Sequence, residues 1–172
     1  ISYVSAHDNN TLYDKLIGVE RKANGDTSIQ YLKQLQKQAN AIVLTGQGVP
    51  FLHAGVEMLR SKNGNHNSYN ASDEVNQINW DLKTEHLDVV KYYEGLIQLR
   101  KANPAFRMMT SDEVVANLRF DDEVPTGVVS FNITDESAEK LVSNTAVIHN
   151  VTDEEQIITL AKEGTWSLVV NG

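Results

Sequence analysis

The hydrophobic positions divide the chain into two regimes. From Ile29 to Val43 the apolar residues Ile29, Leu32, Leu35, Ala39, Ile42 and Val43 are spaced by three, three, four, three and one. That spacing is one face of a helix. Lys33, Gln34, Lys37 and Gln38 fall on the opposite face. Thr27 or Ser28 offers an N-cap, so a helix is predicted over about 27–44, stopped by Gly46. A second helix is predicted over about 84–102, with Leu87, Val90, Leu96, Ile97 and Leu99 as its stripe. Thr84 is its expected cap, and Glu85 and Asp88 lie in the first turn, where the helix dipole favours anions. Asn103-Pro104 ends it, because proline disfavours the helical conformation in the residue before it. Two short apolar runs precede and follow the first helix. They are Ile1 to Ala6, with β-forming Tyr3 and Val4, and Val49 to Gly55, with Pro50 near its start. Strand, helix, strand is the order of a parallel βαβ unit.

After Pro104 the period changes to two. Val114, Ala116, Leu118 and Phe120 alternate with their neighbours, as do Val129, Phe131 and Ile133. Further strand-like runs are Thr145 to His149, Ile157 to Leu160 and Trp166 to Val170. About five short strands separated by turns predict an antiparallel sheet with one face buried. The change of period places a domain boundary at Pro104, giving an α/β region 1–104 and an all-β region 105–172. The stretch 11–26 reads as a loop with one helical turn near Leu12 to Leu16, and 57–60 as a further turn. Residues 61–73, rich in Asn and Ser, form a loop, as does the charged run from Asp135 to Lys140.

Composition narrows the function classes. The 172 residues are 41% hydrophobic, enough for a core. With no cysteine, disulfides, thiolate metal sites and a cysteine nucleophile are excluded. Fifteen basic against 23 acidic side chains leave a net charge of −8, which repels phosphate backbones. Nucleic acid is therefore not an expected partner. No apolar run approaches the roughly 18 residues of a membrane span, so a membrane is not expected either. The five histidines (7, 53, 66, 86, 149) show no ligand spacing, and no loop resembles an EF-hand, so no metal or cofactor is expected. His53, in an apolar run, reads as a hydrogen-bonded core residue. The chain starts at Ile1 in a strand-like run, and Asn171-Gly172 is a hairpin signal at its other end. Both suggest a piece of a longer protein.

Candidate chemistry begins at the end of the first run. Ile1 to Ala6 gives way abruptly to His7-Asp8-Asn9-Asn10. Taken alone, this is first a turn or helix cap, since Asp and Asn favour both. An imidazole and a carboxylate at a strand tip are also where barrels and open α/β sheets hold ligands.

Four stretches then stand in order. Tyr3-Val4-Ser5-Ala6-His7-Asp8-Asn9 resembles the last conserved strand-end motif of the α-amylase superfamily of glycoside hydrolases. Gly48 to Glu57 resembles that family's eighth barrel strand and its exit. Asn67-Ser68-Tyr69-Asn70, with Asp73, Asn76 and Asn79-Trp80, is similar to a loop of type I pullulanases, the α-1,6-glucan debranching branch. Leu96 to Arg107 resembles the helix leaving the barrel for a β-sandwich, domain C. The resemblance implies that residues 1–104 are the last strand–helix units of a (β/α)8 barrel, and that 105–172 are an antiparallel β-sandwich. It implies that Asp8 stabilises the transition state, and that His7, Asn67 and Tyr69 bind substrate. The expected partner is an α-glucan polysaccharide such as pullulan, amylopectin or glycogen. A retaining glycosidase needs two further carboxyl groups about 5–5.5 Å apart. In the family these lie on barrel strands four and five, which would precede Ile1. The chain alone is therefore expected to be inactive.

Two other readings compete. A non-catalytic glucan-binding module would use residues 61–80 and exposed aromatics of the β-region. Its candidates Phe131 and Trp166 sit in apolar alternation, which favours core packing. A structural domain without ligand would make His7-Asp8 incidental, which four ordered motifs argue against. Two barrel strands also leave a parallel edge exposed, which predicts self-association. A single monomeric species in sedimentation velocity would contradict that expectation.

Overall fold

The computed structural model describes residues 1–23, 25, 27–134, 144–160 and 162–172. It divides into two compact units, residues 1–99 with Gly172, and residues 100–171.

In the first unit, α1 spans Leu12–Ala23 and α2 spans Ile29–Thr45. A 3-10 turn, Val56–Met58, is followed by the short helices α3 (Asp73–Asn76) and α4 (Leu82–Glu85). The long α5 spans Leu87–Ala102, and its last three residues belong to the second unit.

The helix predicted over 27–44 is α2. The Ser28 hydroxyl accepts the Tyr31 N–H at 3.4 Å, and the Gly46 N–H donates to the Ile42 carbonyl at 3.0 Å. Its buried face differs from the apolar stripe. Ile29 and Ile42 are exposed, whereas Leu32, Gln36, Asn40 and Leu44 are buried in an i, i+4 row. Two amides go inside because partners await them there. The Gln36 amide donates to the Val56 carbonyl at 2.7 Å. The Asn40 amide donates to the Tyr93 hydroxyl at 2.6 Å, and that hydroxyl donates to the Gln36 carbonyl at 3.2 Å. These bonds join α2, α5 and the 3-10 turn.

The predicted helix 84–102 is split. Thr84 lies within α4, His86 follows that helix, and α5 begins at Leu87. The buried side of α5 is Val89, Val90, Tyr93 and Leu96, while Leu87 and Ile97 are exposed. Val89 and Tyr93 form the core with Leu12, Val56 and Leu59, against which Val4, Leu16 and Leu52 pack. Lys33 and Lys37 reach the Asp88 carboxylate at 2.7 and 3.7 Å. Burial opposes ionisation of Asp88, but the two ammonium groups prevail and hold its pKa below the usual carboxylate range.

The loop expected over 11–26 is instead largely helical. The Thr11 hydroxyl accepts the Asp14 N–H at 3.1 Å and starts α1. Leu12 and Leu16, four apart, then meet the core. The two strands expected at Ile1–Ala6 and Val49–Gly55 reduce to one parallel bridge, Ser2 with Pro50. The Ser2 N–H donates to the Val49 carbonyl and the Phe51 N–H to the Ser2 carbonyl, both at 2.9 Å. An isolated pair of strands is marginal in water, and among the described residues no third strand extends this one.

In the second unit a 3-10 turn, Pro104–Arg107, and helix α6, Ser111–Asn117, precede a three-stranded antiparallel sheet. Its strands are β1 (Leu118–Phe120), β2 (Val128–Thr134) and β3 (Asn144–Asn150). β2 is central, with Phe131 opposite both Phe120 and Val147. Phe131 and Ile133 are buried as the alternation predicts; Val129 is exposed, and Val128 and Ser130 of the other face are buried. Ser130 and Asn132 tolerate their positions because both side chains donate to the Asp121 carboxylate.

Three β expectations change. Residues 114–117 are helical because Thr110 and Glu113 form a reciprocal capping box. The Glu113 N–H donates to the Thr110 hydroxyl at 3.2 Å, and the Thr110 N–H donates to the Glu113 carboxylate at 2.9 Å. The runs 157–160 and 166–170 form no described strand, and Ile157, Leu168 and Val169 are exposed. The charged run 135–140 lies outside the described residues. Among the described residues, no helix is long and apolar enough to cross a membrane.

The Tyr93 hydroxyl is the joint between α2 and α5, and its loss leaves a buried Asn40 amide without an acceptor. Tyr93→Phe is therefore expected to destabilise the chain by about 1–3 kcal/mol, read from urea unfolding midpoints at constant slope.

Candidate functional site

The site is built on the segment that follows the bridge at Ser2. Beyond Ala6 the chain turns, and Asn9 takes a φ of 62°, a left-handed conformation that asparagine tolerates better than most residues. His7 and Asp8 stand at this tip with side chains 83% and 81% exposed. The His7 Nε2 lies 3.7 Å from the Asp8 Oδ1. Both groups are thus open to a ligand, and neither is held by packing of its own side chain.

What holds the tip is its main chain. The Lys15 ammonium, on α1, donates to the Val4 carbonyl at 3.0 Å. The Lys62 ammonium lies 3.5 Å from the His7 carbonyl and donates to the Ser68 hydroxyl at 2.7 Å. Lys62 is itself anchored by the buried Asp14 of α1. One Asp14 oxygen accepts the Lys62 backbone N–H at 2.8 Å, and the other accepts the Ser61 hydroxyl. Burial pulls the Lys62 pKa below its ordinary value and the Arg60 charge adds to this, while Asp8 and Asp14 oppose the shift.

The Asn-rich loop is braced from its far side. The Asn76 amide donates to the Ser68 carbonyl at 2.7 Å and to the Ala71 carbonyl at 3.2 Å. The Arg60 guanidinium bonds the carbonyls of Ala54 and Asn76. Its alkyl stem lies against Gly55, whose φ is 89°. This loop presents Asn67 and Tyr69. Both are exposed, Tyr69 at 83%, and the Asn67 N–H donates to the Asn65 side chain at 3.0 Å. Among the described residues, no hydrogen bond, ion pair or ring contact joins the side chains of Asn67 and Tyr69 to those of His7 and Asp8. The tip and the loop are joined through Lys62 and Ser68, which lies between Asn67 and Tyr69.

His53 is buried close to this network. Burial pushes its imidazole below the ordinary value, and the charges of Arg60, Lys62 and His7 push the same way. Among the described residues, no group of three His, Cys, Asp or Glu side chains is arranged to hold a metal ion. The arrangement offers an imidazole, a carboxylate, an amide and a phenol on two loops, all solvent-facing. Such groups hydrogen-bond hydroxyls and stack on the faces of sugars; they lack the closely spaced carboxyl pair that would cleave a glycosidic bond.

Sequence reasoning missed Lys62 and Asp14. A lysine in a polar loop carries no distinguishing signal. Asp14 was detectable only through α1, where Thr11 and the Leu12–Leu16 spacing mark a capped helix with an acidic first turn. Of the two aromatics weighed for glucan binding in the β-region, Phe131 is buried and Trp166 is half-buried with its indole N–H on the Lys162 carbonyl at 3.3 Å.

Comparison with known proteins gives a consistent result. A family model described as "Pullulanase, all-beta domain" matches residues 114–172, which include β1 to β3. A pullulanase of Bacillus subtilis (strain 168) is 41% identical over 118 residues, covering 69% of this chain and 16% of that protein. The solved structure of the pullulanase from Bacillus acidopullulyticus superimposes with a TM-score of 0.86 at 40% identity, covering 94% of this chain and 19% of that one. The pullulanase from Paenibacillus barengoltzii, solved in complex with maltohexaose and α-cyclodextrin, gives 0.80 at 41% identity, covering 87% and 22%. The chain thus spans about a fifth or less of the length of these relatives.

The buried His53 has a definite pH signature. Its folded-state pKa lies below the ordinary value of about 6.5, so the unfolded chain binds the proton more readily. The stability contributed by keeping His53 neutral is present above about pH 6.5 and is lost as the pH drops from there through the folded-state pKa. His149, likewise depressed by burial, acts with the same sign. His53→Gln should flatten part of the decline in denaturation midpoint between about pH 7 and 5. An unchanged slope would show that His53 titrates as in the unfolded chain.

Fold similarity over nearly the whole chain, sequence identity and the matched β-region agree: this chain belongs to the pullulanase family, of which it spans one segment.

Proposed function

We propose that this chain is a segment of an α-glucan debranching hydrolase of pullulanase type, acting on α-1,6-glucosidic bonds with retention. Residues 1–104 supply the closing strand–helix units of a (β/α)8 barrel, and residues 105–172 an antiparallel β-sandwich. The observation that carries the reading is the solvent-facing His7–Asp8 pair, set on a tip whose main chain is tied down by lysines. The complex of the Paenibacillus barengoltzii relative with maltohexaose supports an α-glucan ligand.

In this role His7 and Asp8 hydrogen-bond hydroxyls of the sugar at the cleaved bond. Asp8 is the transition-state stabiliser: its interaction with the ring strengthens as oxocarbenium character develops. Asn67 and Tyr69 bind neighbouring sugar units from the second loop. Neither a nucleophile nor a general acid is assigned among the 172 residues.

Two assays test this. The chain alone should release no reducing sugar from pullulan. A chimera joining it to the preceding part of the Bacillus acidopullulyticus enzyme should be active, and Asp8→Asn in it should lower kcat by about 10²–10³-fold. Asp8-dependent release by the chain alone would place the missing carboxyl groups within it. A chimera indifferent to Asp8→Asn would remove Asp8 from the reaction.

A further inference from the structure

His7 and Asp8 stand on one loop and Asn67 and Tyr69 on another, and a shared ligand needs the two loops held in register. We propose that Lys62 is a positioning residue that locks the His7–Asp8 tip to the Asn67–Tyr69 loop, so that both loops meet one glucan chain. The inference rests on the proposed debranching role of the same site.

Burying a lysine is costly unless its donors and its charge are answered. Lys62 is only 5% exposed. Its ammonium has three N–H donors. It bonds the Ser68 hydroxyl at 2.7 Å and lies at the hydrogen-bond limit, 3.5 Å, from the His7 carbonyl. Its contacts are therefore neutral oxygens, one on each loop. The compensating charge comes across space from Asp8 and Asp14. A methionine in its place would lose both hydrogen bonds and the attraction to Asp8.

The lysine also starts from a fixed backbone. Asp14 holds its N–H and the preceding Ser61 hydroxyl. Asn76 fixes the Ser68 carbonyl, and Arg60 fixes the Asn76 carbonyl. The Ser68 side is thus braced, and the tip is the free partner. Its side chains project into solvent, and Asn9 beyond them is in a left-handed conformation. The tip depends on main-chain ties, and Lys62 is the buried one. A displacement of about 1 Å in a group that acts on the transition state costs on the order of 10²-fold in rate.

Two experiments test the proposal together. The first is amide hydrogen exchange on the 172-residue chain. Lys62→Met should speed exchange at residues 7–10 and 66–70 and leave the amides of α2 and α5 unchanged. The second uses the chimera described above. Lys62→Met should lower kcat for pullulan by about 10–100-fold. Ser68→Ala should lower it less, and should add no further loss in the Lys62→Met background, because both remove the same bridge. A merely structural lysine would change melting temperature without this non-additivity in kcat. Unchanged exchange at the tip overturns the proposal, as does a folded variant with kcat within about twofold of the parent, or losses that multiply in the double variant. If Lys62→Met does not fold, Ser68→Ala decides by the same two readouts. Asp8→Asn separates the two levels. If it alone retains activity, Asp8's role in the reaction falls and exchange still judges the lysine. If it abolishes activity while Lys62→Met does not, only the lysine's role falls.

Discussion

One buried hydroxyl holds the first unit together. The Tyr93 oxygen accepts from the Asn40 amide and donates to the Gln36 carbonyl, and the Gln36 side chain reaches on to the Val56 carbonyl. Burial pushes the Tyr93 phenol well above its ordinary pKa, so it remains a donor at any physiological pH. Apolar contacts bring α2 and α5 together, but such contacts are non-directional. The hydroxyl and the two amides set the register, because a shift of α2 would take all three from these partners and a shift of α5 would break both bonds of the Tyr93 hydroxyl.

The candidate site hangs from that joint. Val56 is both an acceptor for Gln36 and part of the core, and the chain runs from it through Arg60 and Lys62 to the Asn-rich loop. α1 reaches the same region from the other side through Lys15 and Asp14. The candidate groups His7, Asp8, Asn67 and Tyr69 are exposed, and their loops are held by the Asp14, Lys15, Arg60 and Lys62 side chains. The net charge of −8 is compatible with a neutral ligand of many hydroxyls, since no long-range attraction is needed to bind it.

Legibility followed the range of the forces involved. The limits of α2 were readable because Ser28 and Gly46 act within one turn of themselves. The His7–Asp8 tip was readable because polarity changes abruptly after Ala6. The buried face of α2 was not, because Gln36 and Asn40 go inside to meet partners 20 and 53 residues away. Helix α6 was misread because Val114, Ala116 and Leu118 alternate like a strand, while the Thr110–Glu113 cap selects a helix. The extra strands expected at 157–160 and 166–170 had the right composition but no ladder partner among the described residues. Lys62 left no trace in the sequence, since its importance lies in what surrounds it.

Gly55 carries a consequence beyond its own turn. A Cβ there would lie 2.9 Å from the Arg60 Cβ and 2.8 Å from its Cδ, too close for the stem to stay where it is. The guanidinium at the end of that stem bonds the Ala54 and Asn76 carbonyls. One added methyl group would therefore be transmitted, as through a lever, to the brace behind Ser68. The absence of a side chain at one position is in this sense part of the architecture of a loop that starts several residues later.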